Sequence, residues 1–182
     1  MMRIWHKWRI FLNVAIIAAL FATSFVGCQL YQEALRNDER TETYMSATRK
    51  VEILNQLHTE AVVLATNLNL VSPEKFPPND ATVFLIDIFI SQDSSDPDKR
   101  GLLNPIYTLW LDGMPPRDII RLTRDELIAH NIPHISPWGE YFLVFFERPY
   151  TPIMQLEVLR EGLEPVTLRF APSKAEEALK RF

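Results

Sequence analysis

Residues 47–70 read ATRKVEILNQLHTEAVVLATNLNL, and the fold class turns on how this stretch is assigned. Leu54, Leu57, Ala61, Leu64 and Leu68 recur at alternating steps of three and four residues, with Val51 and Ala65 beside them. That spacing lays an apolar stripe along one face of a helix. Ser72-Pro73 ends the run, because a proline ring disfavours helical geometry in the residue before it. The expectation is a long amphipathic helix over 47–70 packed on the chain's own sheet, with His58 half-exposed at the edge of the stripe. As a seam for a second chain, the stripe is short and includes alanines, which a coiled coil disfavours.

The chain then changes character. Thr82–Ile90, TVFLIDIFI, is apolar on both alternating faces except at Asp87, the pattern of a central strand covered on both sides. The 47–70 helix is the expected cover for one of those faces. Residues 140–148, EYFLVFFER, repeat the two-faced apolar pattern. Residues 106–112 give a further strand, and 117–122 are expected to pair back on it across the Gly113-Met114-Pro115-Pro116 turn. Residues 153–160 and 166–170 flank Glu161-Gly162 as a half-exposed hairpin. Thr123 and Glu126 have the spacing of a capping box, which starts a short helix; Ser173 and Glu176 repeat it for a C-terminal helix over 173–181. A parallel sheet needs a crossover helix between successive strands, and only residues 124–130 could supply one. The expected class is therefore α+β, a long helix on a mainly antiparallel sheet or small β-sandwich. The expected organisation is a signal segment over 1–27, a tether or helix start over 28–46, and one domain over 47–182 that is β-rich from 80 to 171.

Three loops carry the candidate partner-binding residues, since recognition favours exposed loops on a rigid scaffold. One holds Asp93, Asp96 and Asp98, another Met114, Pro115 and Pro116, and the third Trp138 between Pro133 and Gly139. The aspartate spacing does not match a calcium loop, and Lys99 and Arg100 offset its charge. His130 and His134 share the four-residue spacing of a zinc helix, but Pro133 lies between them and the intervening glutamate of that motif is absent. No metal site or cofactor is expected.

At the start of the chain, Arg3, Lys7 and Arg9 precede a largely apolar run from Ile10 to Val26, between a signal-peptide core and a membrane span in length. It ends in Phe25-Val26-Gly27-Cys28, which resembles the lipobox of bacterial lipoproteins, with Phe25 standing where leucine is usual. The resemblance implies cleavage before Cys28 and attachment of lipid, palmitate included, to that cysteine. The chain has one cysteine, so no internal disulfide is possible. By the same resemblance, Gln29 in place of an inner-membrane retention aspartate favours the outer membrane. The alternative is an uncut signal anchor that leaves the domain facing the periplasm.

Loss of residues 1–27 would leave 16 basic against 23 acidic side chains, a charge of −7. Such a domain has no electrostatic case for nucleic acid. The sequence contains no nucleophile elbow, phosphate-binding loop or dinucleotide glycine motif. The function expected is a lipid-anchored assembly component that binds another protein of the cell envelope. The alternative is a carrier of an apolar ligand, for which Phe84, Phe89, Trp110, Phe142, Phe145 and Phe146 are the candidate lining.

Overall fold

The structure, a computed structural model, describes residues 39–130, 132–133, 135–147 and 149–171. The chain divides into two units, 1–42 and 43–182. Of the first, residues 39–42 are described, and they are helical. The signal segment, Cys28, His134 and the expected helix over 173–181 lie outside the described residues. No helix among the described residues is long and apolar enough to cross a membrane.

The second unit opens with helical residues 43–46, and then the 47–70 stretch departs from expectation. It is a β-hairpin: β1 (Thr48–Asn55) turns through Gln56-Leu57 into β2 (His58–Asn67), and the two pair antiparallel. The long helix is thus corrected to two strands, and the α+β class to an all-β sandwich. Ala61, Val63 and Ala65 are fully buried on one face of β2, whereas Leu54 and Leu57 of the supposed stripe are 55% and 95% exposed. A period of two therefore describes the stretch, and β-branched Val51, Ile53, Val62, Val63 and Thr66 suit a pleated surface better than a helix.

β3 (Thr82–Ile90), β4 (Tyr107–Leu111), β5 (Asp118–Leu122), β6 (Glu140–Phe146), β7 (Met154–Arg160) and β8 (Val166–Phe170) complete two antiparallel sheets. The larger has the order β1-β2-β3-β6-β5 and the smaller β4-β7-β8. β5 does not pair back on β4 as expected. Only a single bridge, Leu111 to Met114, joins the two arms of that turn, and β5 crosses to the edge of the larger sheet beside β6. Among the described residues two short α-helices, α1 (Leu68–Val71) and α2 (Arg124–Ala129), and two 3-10 turns, Pro97–Lys99 and Gly101–Leu103, interrupt the strands. α2 carries the full capping box between Thr123 and Glu126.

The main core lies between the sheets. Phe84, Ile86, Phe142 and Phe146 point into it from the larger sheet, and Leu109, Leu111, Leu156 and Val158 meet them from the smaller. Phe84 sits edge-on to Phe146 at 6.0 Å between centroids and tilted over Phe170 at 5.0 Å. The candidate carrier aromatics Phe84, Phe142 and Phe146 are thus packing residues of the core, each fully buried. Truncating one of them to alanine should cost about 3–5 kcal/mol.

A second, smaller cluster covers part of the opposite face of the larger sheet. Val83, Leu85, Tyr141 and Leu143 are buried there under Tyr44, Leu68 and Leu127, with Phe76, Ile132 and Ile135 packed at the margin. The second face of β3 is therefore covered by short helices and loops, and not by the long helix once expected there. Asn69 closes the β2–β3 connection: its amide donates to the Ala81 carbonyl at 2.8 Å and the Phe76 carbonyl at 3.1 Å, while its oxygen accepts from Val83 N–H at 2.8 Å.

Candidate functional site

The end of the sandwich that carries the β1–β2 turn also receives the loop after β3 and the loop before β6, because antiparallel order returns alternate connections to one end. Two clefts open there. One, of about 440 Å³, lies between the β1–β2 turn and the start of the smaller sheet. The other, of about 430 Å³, lies between α2, the 135–139 loop and strands β5 and β6.

The first cleft is organised by a β-bulge. Leu54 pairs with Thr59 but Ile53 pairs with Ala61, which leaves Glu60 as the extra residue of β2. A bulge re-aims the side chain it carries, and here the Glu60 carboxylate reaches the other sheet. Its Oε1 accepts from Arg160 Nε at 2.6 Å and pairs with Arg160 Nη2 at 2.6 Å, while Oε2 accepts from Asn55 Nδ2 at 3.0 Å. Arg160 Nη1 donates to the Glu161 carbonyl at 2.6 Å. The Glu60 carbonyl freed by the bulge accepts from Ser91 N–H at 2.9 Å.

Tyr107, 3% exposed, lines the same cleft. Its hydroxyl is enclosed beside the Arg160 guanidinium and is closed off from the cleft itself. Burial raises its pKa first, the negative Glu60 raises it further, and Arg160 opposes both. The rest of the lining is polar, including Asn55, His58, Gln92 and Asn104, with Ile90 and Ile106 as its apolar part.

The second cleft is built around Tyr141, whose hydroxyl accepts from Ser136 N–H at 2.6 Å and donates to the Asp87 carboxylate. Burial, and then the Asp87 charge, hold the Tyr141 pKa well above the ordinary tyrosine value. Tyr44 is raised by burial too, an effect opposed by its hydrogen bond to Thr66. The main chain of Gly139 lies against the Asp87 carboxylate so closely that a β-carbon there would overlap it. Trp138 N–H donates to Ser136 Oγ at 3.2 Å. The loop is thus pinned on both sides of Trp138, whose side chain is 77% exposed. Leu122, Leu127 and Ile135 form the apolar part of this cleft, and Arg121 and Arg124 stand at its wall.

The candidate loops do not converge on one site. The aspartate loop meets the base of the Trp138 loop: Arg121 Nη2 donates to Glu140 Oε2 at 2.5 Å and its Nη1 to the Pro97 carbonyl at 2.8 Å, and Arg100 pairs with Glu140 at 3.4 Å. Met114, Pro115 and Pro116 lead into the opposite end of β5, far from both clefts along the strand. The aspartates themselves work locally. Asp93 accepts from Ser94 N–H at 2.7 Å and Gly101 N–H at 2.8 Å, and Asp96 caps the turn at Asp98 N–H at 3.1 Å. Among the described residues no group of three or more His, Cys, Asp or Glu side chains is placed to hold a metal ion.

Sequence reasoning passed over Glu60, Arg160 and Tyr107, which come together only through the topology. Asp87 did carry a signal, as the lone charge in an apolar strand.

No family model and no curated protein matches the chain. The functional reading therefore rests on its own residues.

Proposed function

We propose that this chain is a lipid-anchored component of a bacterial cell envelope, held to the membrane through Cys28, whose β-sandwich docks another envelope protein through the Trp138 loop. The anchoring part rests on the lipobox-like FVGC ending of the first 28 residues. The docking part rests on one observation: an exposed tryptophan on a loop fixed by Tyr141, Ser136 and the Gly139–Asp87 contact, beside an apolar-floored cleft. Tryptophan is enriched among the residues that dominate interface energies. A pre-fixed loop also loses little conformational freedom on association.

Two measurements test this reading in the full chain in its own membrane. Metabolic labelling with a palmitate analogue should label the wild type and not Cys28→Ala; equal labelling, or none in either, would remove the anchor. A photo-crosslinking amino acid at position 138 should trap one defined envelope protein, whereas the same probe at the fully exposed Leu57 position should not. The same pattern at both positions, or no adduct at 138, would remove the docking surface.

A further inference from the structure

We propose that β1 pairs edge to edge with β1 of a second copy of this chain, antiparallel about a two-fold axis at Val51, so that the two larger sheets join into one. β1 is an outer strand of the larger sheet, and β8 of the smaller sheet lies beside it but pairs only with β7. Hydrogen-bonded pairs alternate along an antiparallel ladder. Asn67 N–H donates to the Ala47 carbonyl at 3.0 Å, so the odd residues of β1 are the ones bonded to β2. The main-chain groups of Thr48, Lys50, Glu52 and Leu54 therefore face outward. Arg49 Nη1 takes the Thr48 carbonyl at 2.8 Å; those of the other three meet no hydrogen-bond partner among the described residues. The other outer strands offer less. On β4 the Asn104 and Met114 carbonyls already accept from Tyr107 and Leu111 N–H, and Arg121 of β5 reaches over to the Pro97 carbonyl.

Charge selects both the partner and the register. Prolines, bulges and lysines are the usual guards of an exposed edge. β1 has no proline, its ladder is regular up to Ile53, and its one lysine, Lys50, is neutralised by Glu52 at 2.7 Å. Both side chains are exposed, on the face away from the main core. A two-fold pairing that keeps both charges within the ladder can centre on residue 50, 51 or 52. Centring on Lys50 or Glu52 sets that residue opposite its own copy, and like charges directly opposite are destabilising. Centring on Val51 sets each Lys50 opposite the Glu52 of the second copy, and Thr48 opposite Leu54. Four charges of alternating sign then lie together across the seam. β1 and β5 are opposite edges of the larger sheet, so this pairing leaves the cleft beside Trp138 open and does not depend on the protein partner assigned there.

The test is disulfide crosslinking of the full chain in its own membrane, read as dimer on a non-reducing gel. Two Val51 residues facing across the axis form a non-hydrogen-bonded pair, with α-carbons about 4.5 Å apart, within the roughly 4.4–6.8 Å that a disulfide spans. Val51→Cys should therefore give dimer on mild oxidation. Wild type, which carries Cys28, sets the background, and Leu57→Cys, 95% exposed at the β1–β2 turn, should not rise above it. Thr48→Cys/Leu54→Cys reads the same register from the other face of the strand, so a disturbance of the core by cysteine at 51 does not remove the test. Glu52→Lys should lower the Val51→Cys dimer about tenfold, and Lys50→Glu/Glu52→Lys should restore it. Dimer from Leu57→Cys equal to that from Val51→Cys, no dimer from either edge construction, an undiminished yield with Glu52→Lys, or no recovery in the reversed pair would each overturn the assignment.

Discussion

Gly101→Ala tests whether the loop after β3 is built onto the core in the way that positions both clefts. Gly101 has φ +59°, in the left-handed region, and its α-carbon faces Phe142. A β-carbon there would stand 2.6 Å from Cε2 and 2.9 Å from Cζ of Phe142, and 3.1 Å from Glu140 Cβ. Comfortable carbon contacts are about 3.5–4.0 Å, and Phe142 is fully buried, so the ring cannot swing aside. The left-handed backbone costs about 1–2 kcal/mol for a residue with a side chain, and overpacking adds about 1–3 kcal/mol. The expected loss is about 2–5 kcal/mol. Gly113→Ala is the control, because Gly113 has φ +81° but nothing within 4 Å of the new carbon. It should lose only about 1 kcal/mol once the stiffer unfolded chain is counted. Urea unfolding of the full chain, followed by far-ultraviolet circular dichroism, measures both; in a thermal scan each kcal/mol is worth roughly 4 °C. In the Gly101→Ala background, Phe142→Leu should cost less than it does alone, because the smaller side chain makes room. Equal losses at the two glycines, or a change below about 0.5 kcal/mol at Gly101, would refute the packing argument.

Tyr44, Tyr107 and Tyr141 hold raised pKa values in the fold. The unfolded chain releases those protons near pH 10 while the folded chain keeps them, so their contribution is complete below about pH 10 and is lost as pH rises beyond it. Tyrosinate absorbance should show these three of the five tyrosines ionising only as structure is lost; ordinary titration of all five in an intact fold would contradict the burial. Glu60 and Arg160 side chains are 16% and 25% exposed, so a double-mutant cycle with Glu60→Gln and Arg160→Met should give a coupling of about 1–3 kcal/mol. A coupling below about 0.5 kcal/mol would mean that the pair does not tie the sheets together. Leu54→Glu and Leu57→Glu should each change stability by less than about 0.5 kcal/mol, whereas Val63→Ala, at a fully buried position, should lose at least about 1 kcal/mol. The reverse order would restore the helix reading of 47–70.

That reading failed for a physical reason visible in the residues. Ala61 and Leu68 of the supposed stripe are buried, but one faces the inter-sheet core and the other packs in the smaller cluster on the opposite face. The three-and-four spacing therefore joined positions that never share a surface. The turn concealed itself as well: Asn55-Gln56-Leu57-His58 has no glycine, and Gln56 takes the left-handed φ of +58° that asparagine or glycine would normally announce. β3 and β6 were legible because strands apolar on both faces have few alternatives. The loops were legible as loops, but Glu60 and Arg160 stand 100 residues apart. Their meeting depends on the bulge and on the pairing of β4 with β7, neither of which leaves a local trace.

The two ends of the sandwich differ in how their loops are held. At the end holding α1, loops close on one another: Tyr150 N–H donates to the Pro78 carbonyl at 2.8 Å, and Asn69 joins three backbone groups across the β2–β3 connection. One orphan remains nearby, the Asn67 amide nitrogen, but Asn67 is fully buried and lines neither cleft. At the opposite end the Trp138 ring stands exposed beside one of the clefts. Folding alone gives no return for holding Trp138 out on a pinned loop. A partner that covered the Trp138 ring, as proposed above, would make that arrangement favourable.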